Sequence, residues 1–345
     1  MPKFNEVLHV KNISLKKEFI FVGDIGGTNS RFAVFTKTRL ILSLIIPSKT
    51  IKKFATTVNQ ILDYIEDKYK IKVTKACFAV AGKVSEKRDF SEVTNLKINL
   101  DAKEIIKKTA LKSVKIINDF EAIGYGLQML DKKSLIKINP KTKEVKNKTK
   151  VILGAGTGLG KSILIWDERC KTYLPVASEG GHSDFAPQNQ EELDLVNFLK
   201  EKVIKTKNNI EWEDLVSGSG IANIYKFLQN TKKYKNTKYF AEIKKNKYSS
   251  ELISKYRTKD KLCKDTFTLF TRFYARAAKN FALETLAVGG VYIYGKIAIE
   301  NSEIFKTKTF LNEFVKSRKL NEVLTKIPVF LIKDFNVGLY GAAIF

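Results

Sequence analysis

Asp119 follows the apolar run Val114-Lys-Ile-Ile117 and Asn118, at the carboxyl end of a predicted strand, the edge where ligands of α/β sheets bind. A carboxylate placed there can take the proton of a hydroxyl as its oxygen attacks phosphorus. Two further polar clusters come later in the chain. Glu179-Gly-Gly-His182-Ser-Asp184 sets a carboxylate and one of only 2 histidines around two glycines, and Glu213-Asp-Leu-Val-Ser-Gly-Ser-Gly220 leads into a helix. Fixed donors and acceptors of this kind suit a polyhydroxyl ligand, because each sugar hydroxyl both donates and accepts. Each residue also has a plainer reading: Asp119 as a helix cap, His182 as a structural turn residue, Glu213 as a surface helix residue. The spacing of Glu179 and His182 matches no helical metal motif, since the glycines between them break any helix.

A phosphate donor needs a grip of its own, and two glycine-rich segments offer one each: Asp24-Ile-Gly26-Gly27-Thr28-Asn29-Ser-Arg31 and Gly154-Ala-Gly156-Thr157-Gly158-Leu-Gly160. Apolar runs rich in β-branched and aromatic residues flank both, Phe19–Val22 and Phe32–Phe35 around the first, Val151–Leu153 and Ile163–Trp166 around the second. The pattern predicts strand, tight turn, strand, written twice. Glycine lets the backbone approach a bound group closely, and the N–H donors of such a turn can surround a phosphate, helped by the Thr hydroxyls. Ala155 to Ser162 also differs from a Walker A sequence only in its first residue. A P-loop, however, runs directly into a helix that carries its Lys and Ser. Here Lys161-Ser162 is followed by Ile163-Leu-Ile-Trp166 and soon by Pro175, which favours a strand. A P-loop NTPase, with Lys161 essential and sugars irrelevant, is the lesser alternative.

Composition limits what else the chain can be. With 345 residues, 44% hydrophobic content, 23 Phe and 13 Tyr, it can build two cores. Its longest uncharged apolar stretch, Leu40 to Ile46, is far short of a membrane span, and Met1 to Lys17 lacks a signal-peptide core. The 3 cysteines, Cys77, Cys170 and Cys263, are odd in number and widely separated, which points to a reduced cytoplasmic protein without a disulfide framework or a zinc site. The formal charge of +26 comes mostly from Lys, densest at Lys137–Lys150 and Lys226–Lys264. No nucleic-acid motif accompanies it, and Lys in place of Arg argues against bidentate readout of phosphate or base. The excess reads as a solvated surface, with neither nucleic acid nor membrane as a specific partner.

Elements must position these groups. The first hairpin is followed by a strand at 40–46, a helix at 56–70 with Val58, Ile61, Leu62 and Ile65 on one face, and a strand at 76–81. An irregular segment at 82–98 precedes a helix at 101–110, where Asp101 and Glu104 have capping-box spacing. Strand 114–117 then runs through Asn118-Asp119 into a helix ending near Leu130. After an exposed connection at 137–150 the pattern restarts with the second hairpin, then helices near 190–204, 219–229 and 262–287, and strands at 291–294 and 328–332. The order is that of a mixed α/β layer, duplicated.

In sequence order, Gly23-Asp-Ile-Gly-Gly-Thr-Asn-Ser-Arg31, Ile116-Ile-Asn-Asp-Phe-Glu-Ala122, Gly154-Ala-Gly-Thr-Gly-Leu-Gly160, Glu179-Gly-Gly-His-Ser-Asp-Phe-Ala-Pro187, Leu215-Val-Ser-Gly-Ser-Gly220, Gly289-Gly-Val-Tyr-Ile293 and Gly338-Leu-Tyr-Gly341 form a series. It resembles the bacterial-type glucokinase family, hexose kinases of the actin-like, ribonuclease-H-like ATPase fold. That resemblance implies two ribonuclease-H-like α/β domains flanking a central cleft: a small one from residues 1–129 plus 331–345 and a large one from residues 130–330.

It also implies roles. Asp119 matches the base that takes the proton from the sugar's 6-hydroxyl, and Asn118, Glu179, His182 and Glu213 match sugar-binding positions. Asp24, Gly26, Gly27, Thr28 and Asn29 match the first phosphate loop, with Asp24 beside the magnesium ion of ATP, directly or through water. Gly154, Gly156, Thr157 and Gly158 match the second, and Gly289 and Gly290 open the adenosine side. The implied partners are ATP and a hexose, glucose first, and a homodimer is compatible with the resemblance. The absence of a Cys-rich motif after Gly-His fits this group and not its zinc-binding relatives. One departure stands out, Gly295-Lys296 where the family continues Gly-Gly; others are Lys83 for a usual Pro and Ile98 for a common Trp. A kinase for another hexose and a non-catalytic sugar-responsive regulator of the same fold are the alternatives.

Overall fold

Alternation of apolar side chains builds a sheet covered on both faces. In β2 (Ile20–Ile25) and β3 (Asn29–Thr36), Phe21, Ile25, Phe32 and Val34 enter one buried cluster while Val22, Ala33 and Phe35 enter another. The computed structural model describes residues 4–93, 96–231, 233–234 and 237–345. Thr94 and Asn95 of the expected irregular segment, and Lys232, Lys235 and Asn236 of the second basic stretch, lie outside the described residues. The chain divides into two compact units, Met1–Lys133 with Asp167–Ala177 and Asp334–Phe345, and Ser134–Trp166 with Ser178–Lys333.

In the first unit, β1 (Asn5–Leu8), β4 (Arg39–Pro47), β5 (Lys75–Val80) and β8 (Ser113–Asn118) join β2 and β3 in the order β1-β4-β3-β2-β5-β8. β2, β5 and β8 are parallel, and β2–β3 and β3–β4 are antiparallel. One face is covered by α1 (Phe54–Tyr69), through Phe54, Val58, Ile61 and Ile65, and by α2 (Ala102–Lys108). Asp101 accepts the N–H groups of Lys103 and Glu104, as its capping spacing anticipates. The other face is covered by α3 (Asp119–Leu127) and α12 (Val337–Ile344), which cross at glycines. A Cβ on Gly126 would lie 1.8 Å from the Val337 carbonyl oxygen, and one on Gly341 1.7 Å from that of Ala122. Only glycine allows this approach, and it accounts for Gly341 of the Gly338-Leu-Tyr-Gly341 motif. The segment expected to be irregular contains a ribbon, β6 (Phe90–Val93) paired with β7 (Ile98–Asp101); strands this short and this charged carry little periodic signal.

The second unit repeats the plan. β9 (Leu135–Lys137), β10 (Lys150–Ala155), β11 (Leu159–Asp167), β13 (Gly290–Tyr294) and β14 (Val329–Ile332) run in the order β11-β10-β13-β14-β9. β10, β13 and β14 are parallel, and β10 and β11 form the antiparallel hairpin. β12 (Thr172–Ser178) lies, except for Ser178, in the segment Asp167–Ala177 of the first unit. The longest helix, α8 (Lys261–Glu284), buries the expected stripe of Phe267, Phe270, Phe273, Ala277 and Phe281. Around it lie α4 (Gln190–Phe198), prolonged by a π turn at Leu199–Val203, α5 (Gly218–Asn230), α6 (Lys238–Lys245), α7 (Ser250–Tyr256), α9 (Lys296–Glu300), α10 (Lys308–Val315) and α11 (Asn321–Lys326). Among the described residues, no helix is long and apolar enough to cross a membrane.

Candidate active site

In the first unit the register of the parallel strands gathers three of the singled-out side chains at one edge. Ile25 of β2 pairs with Val80 of β5, and Val80 pairs with Asn118 of β8, so Asp24, Asn118 and Asp119 all stand where these strands end. The helix cap is Asn118, whose Oδ1 accepts the Phe120 and Glu121 N–H groups at 2.9 and 3.1 Å. Asp119, the first residue of α3, also accepts from the Phe120 N–H at 2.9 Å. Capping therefore falls mainly to Asn118, through its side-chain oxygen and not its amide N–H groups. Glu121, in the first turn of α3, is buried and takes a bidentate pair from Arg88 at 2.8 and 2.9 Å, and the Arg88 guanidinium lies 4.7 Å from the ring centre of Phe345. This ties the loop after β5 and the C-terminus to the helix that starts with Asp119.

Asp24 is partly buried, 4.0 Å from Arg31, whose guanidinium also donates to the Phe335 carbonyl at 2.6 Å. Burial pushes the Asp24 carboxyl up, and Arg31 opposes the rise. The turn Gly26-Gly27-Thr28 that follows is braced by a buried serine absent from the sequence reading. The Ser48 hydroxyl donates to the Gly26 carbonyl at 2.5 Å and lies 2.9 Å from the Ser30 hydroxyl, and the Ser48 N–H donates to the Thr28 carbonyl at 2.9 Å. Thr28 and Asn29 are exposed.

In the second unit the hairpin between β10 and β11 and the sugar-type cluster form one bonded group. Gly156 and Thr157 are exposed, and a Cβ on Gly156 would meet nothing within 4 Å, so packing does not call for glycine there. Gly158 differs. A Cβ on it would lie 2.2 Å from Glu213 Oε2, and that same oxygen accepts the Leu159 N–H at 2.8 Å. The Glu213 N–H donates to the Gly181 carbonyl at 2.9 Å, so one residue links the hairpin to the loop Glu179–His182. Below the hairpin the Ala155 N–H donates to the buried Tyr274 hydroxyl at 3.2 Å. In the loop, His182 Nδ1 is 2.7 Å from Glu211 and Nε2 is 4.0 Å from Glu179.

The P-loop alternative is overturned by β11: Lys161 and Ser162 lie in a strand, paired with Leu153 and Ile152, not on the first turn of a helix. Nor is Lys161 incidental. It is 3% exposed, with Nζ 5.0 Å from the Phe281 ring centre and 3.3 Å from where a Cβ on Gly180 would lie, so it packs beneath the sugar-type loop. Burial lowers its pKa, partly offset by Glu284.

Gly289 and Gly290 do not join the others. Gly290 pairs with Lys150 at the amino end of the parallel pair, whereas the hairpin leaves from Ala155 at the carboxyl end, five residues or about 16 Å away. Both glycines are buried, and a Cβ on Gly289 would lie 2.3 Å from the Lys148 carbonyl oxygen, so their role is close packing of β13 against the chain before β10. At the other end of β13, Gly295 has φ +112° and its Cβ position is 2.7 Å from the Ala155 carbonyl oxygen, beside the hairpin. The long cation that follows is neutralised: Lys296 Nζ is 2.9 Å from Glu251 and 3.8 Å from Glu300.

Other contributors escaped the sequence reading because their partners are remote in sequence. Glu211 is 29 residues from His182. Buried Arg276 of α8 forms a bidentate pair with Glu192 of α4, both contacts 2.8 Å, and reaches Glu313 of α10 at 3.2 Å. A cavity of about 550 Å³ between α4 and α5, lined by Glu191, Asp194, Phe198, Glu201, Lys202 and Phe227, holds none of the residues singled out.

Residues 21–345 match the Glucokinase family model. A glucokinase from a Nostoc species is 31% identical over 341 residues, covering 94% of this chain and 98% of the relative. That of Nostoc punctiforme is 34% identical over 284 residues, covering 78% of this chain and 81% of the relative. Among solved structures, the glucokinase of an Antarctic psychrotroph superposes with a TM-score of 0.76 at 25% identity, covering 95% of this chain and 98% of that one. The glucokinase of Balamuthia mandrillaris, solved in complex with glucose, gives 0.80 at 23% identity over 95% and 93%. With its fold, its two hairpins and a family match across nearly its whole length, the chain belongs to the glucokinase family.

Proposed function

We propose that this protein transfers the γ-phosphoryl group of ATP to the 6-hydroxyl of D-glucose, giving glucose 6-phosphate and ADP. The observation that carries the site assignment is Glu213, whose carboxylate holds the phosphate hairpin at Leu159 while its backbone holds the sugar loop at Gly181. Asn118, Glu179, His182 and Glu213 orient the sugar. As the 6-oxygen bonds to the γ-phosphorus, the bond to the ADP oxygen breaks and Asp119 takes the hydroxyl proton. N–H groups of the turns at Gly26–Asn29 and Gly156–Gly158 hold the phosphates, except that of Gly156, which closes its own turn by donating to the Gly158 carbonyl at 2.8 Å. Gly289 and Gly290 open the segment that runs through β13 to the adenosine side, where Gly295 stands beside the hairpin.

Among the described residues no three His, Cys, Asp or Glu side chains converge to hold a metal ion. A magnesium ion carried by ATP needs only a carboxylate or two besides phosphate and water, a donor set that the partly buried Asp24 carboxylate fits. Bound there, magnesium would neutralise charge on the phosphates. The free thiols of Cys77, Cys170 and Cys263 support a reaction in the cytoplasm.

The sugar assignment is tested by ATP turnover with glucose, mannose and fructose: glucose gives the highest kcat/KM, and turnover indifferent to every sugar rejects the reading. The Glu213 link makes a second, less obvious prediction. Gly158→Ala, a change in the phosphate hairpin, displaces the Glu213 carboxylate and weakens glucose binding about tenfold in the absence of any nucleotide. Calorimetric titration with glucose alone checks this.

A further inference from the structure

Among the sugar-site candidates, His182 has its side chain held by the side chain of a residue 29 positions away. Its Nδ1 lies 2.7 Å from Glu211 Oε2, and Glu211 is itself firmly placed. The Phe185 N–H donates to the Ile210 carbonyl at 2.8 Å and the Trp212 N–H to the Ser183 carbonyl at 3.0 Å, so the strand-like segment Ser183–Phe185 is bonded on either side of Glu211. Ile210 and Trp212 are buried, and Trp212 meets Phe185 edge-on with ring centres 5.0 Å apart. The Glu211 N–H donates to Asp214 at 2.9 Å. Two buried anchors thus deliver one half-exposed carboxylate to one ring nitrogen.

We propose that Glu211 is a positioning residue of the sugar site: by accepting the Nδ1–H of His182 it fixes the imidazole plane and reserves Nε2 for a sugar hydroxyl. The proposal rests on the assignment of His182 to the sugar site. A neutral ring that gives its Nδ1 proton to a carboxylate can only be an acceptor at Nε2, and the protonated ring is a donor there; in both states the ring holds its place. The charged groups around the ring are Glu211, Glu179, Glu213 and Asp214, with Asp184 beside Glu211 in the paired segment. The Glu211 hydrogen bond raises the His182 pKa, burial opposes it, and Glu213, Glu211 and Glu179 add to the rise through their charge. Because folding raises this pKa, the pair's contribution to stability is complete below the usual histidine pKa of about 6.5 and is lost as pH rises through the higher folded value.

The chain has only 2 histidines, so each imidazole can be followed by NMR in the intact protein. His9, whose pKa is lowered by burial, is the internal control. In Glu211→Gln the His182 titration moves to lower pH while that of His9 stays in place. The glucose KM rises about five- to tenfold, kcat changes less than twofold, the ATP KM is unchanged, and Glu211→Asp recovers part of the loss. An unchanged His182 titration together with an unchanged glucose KM in Glu211→Gln overturns the proposal. Failure of the wild-type protein to bind glucose would instead reject the sugar assignment, and the His182 titration would still report whether Glu211 holds the ring.

Discussion

Asp119→Ala lowers kcat for glucose phosphorylation by about 10²- to 10⁴-fold, the range that a positioned general base supplies, and leaves glucose affinity and thermal stability near wild type. The structure separates these effects. The cap of α3 belongs to Asn118, and the helix is held to α12 through Gly126 and Gly341, so removing the Asp119 carboxylate takes away neither anchor. Steady-state kinetics with glucose calorimetry checks it: lost kcat with retained binding is the expected pair. Full turnover in the variant assigns the proton transfer to another group.

Arg276→Ala has the largest expected effect on stability. Its guanidinium is 3% exposed, beside the mutually packed rings of Phe185 and Phe273 at 5.8 and 5.7 Å, and faces two carboxylates, Glu192 at 1% and Glu313 at 11%. Removing the cation leaves both carboxylates buried without it, which costs about 3–5 kcal/mol and lowers Tm by roughly 6–20 °C. Burial pushes the Glu192 pKa up, but the Arg276 pair outweighs this and holds it below its ordinary value. A depressed carboxylate pKa gives stability that is present above the unfolded value and lost as pH falls through the folded one. The variant's deficit is therefore largest near neutral pH, and its Tm approaches that of wild type as pH falls and Glu192 protonates. Thermal unfolding followed by circular dichroism across a pH series measures both the loss and its narrowing. The damage reaches the site as well, because Phe185 closes the segment that begins at Glu179 and stacks edge-on against Trp212 beside Glu213.

What could be read in the sequence follows from how local each signal is. Both hairpins were legible because each glycine turn sits between strands whose alternation repeats every second residue, and α8 because 24 residues give its apolar stripe room to recur. α9, α10 and α11, of 5, 8 and 6 residues, complete too few turns for a period to show. β12 was hidden by Pro175, a residue that argues against a strand until its sheet is known. Asp119 was legible as a strand-end acid. Glu211, Ser48 and Arg276 were not, because their meaning lies in partners 29, 22 and 84 residues away. Gly289 and Gly290 stand at the far end of β13 from the hairpin, and the close approach to Ala155 at the other end belongs to Gly295, a contact that only strand register reveals.

In the proposed reaction the γ-phosphoryl group of ATP joins the 6-oxygen of glucose. The most direct test is ³¹P NMR of purified protein with magnesium, ATP and glucose. The expected spectrum gains the resonance of glucose 6-phosphate in equal amount with ADP, and shows no ADP when glucose is left out. Inorganic phosphate released at the same rate with and without glucose, or no product at all, would rule out phosphoryl transfer to the sugar.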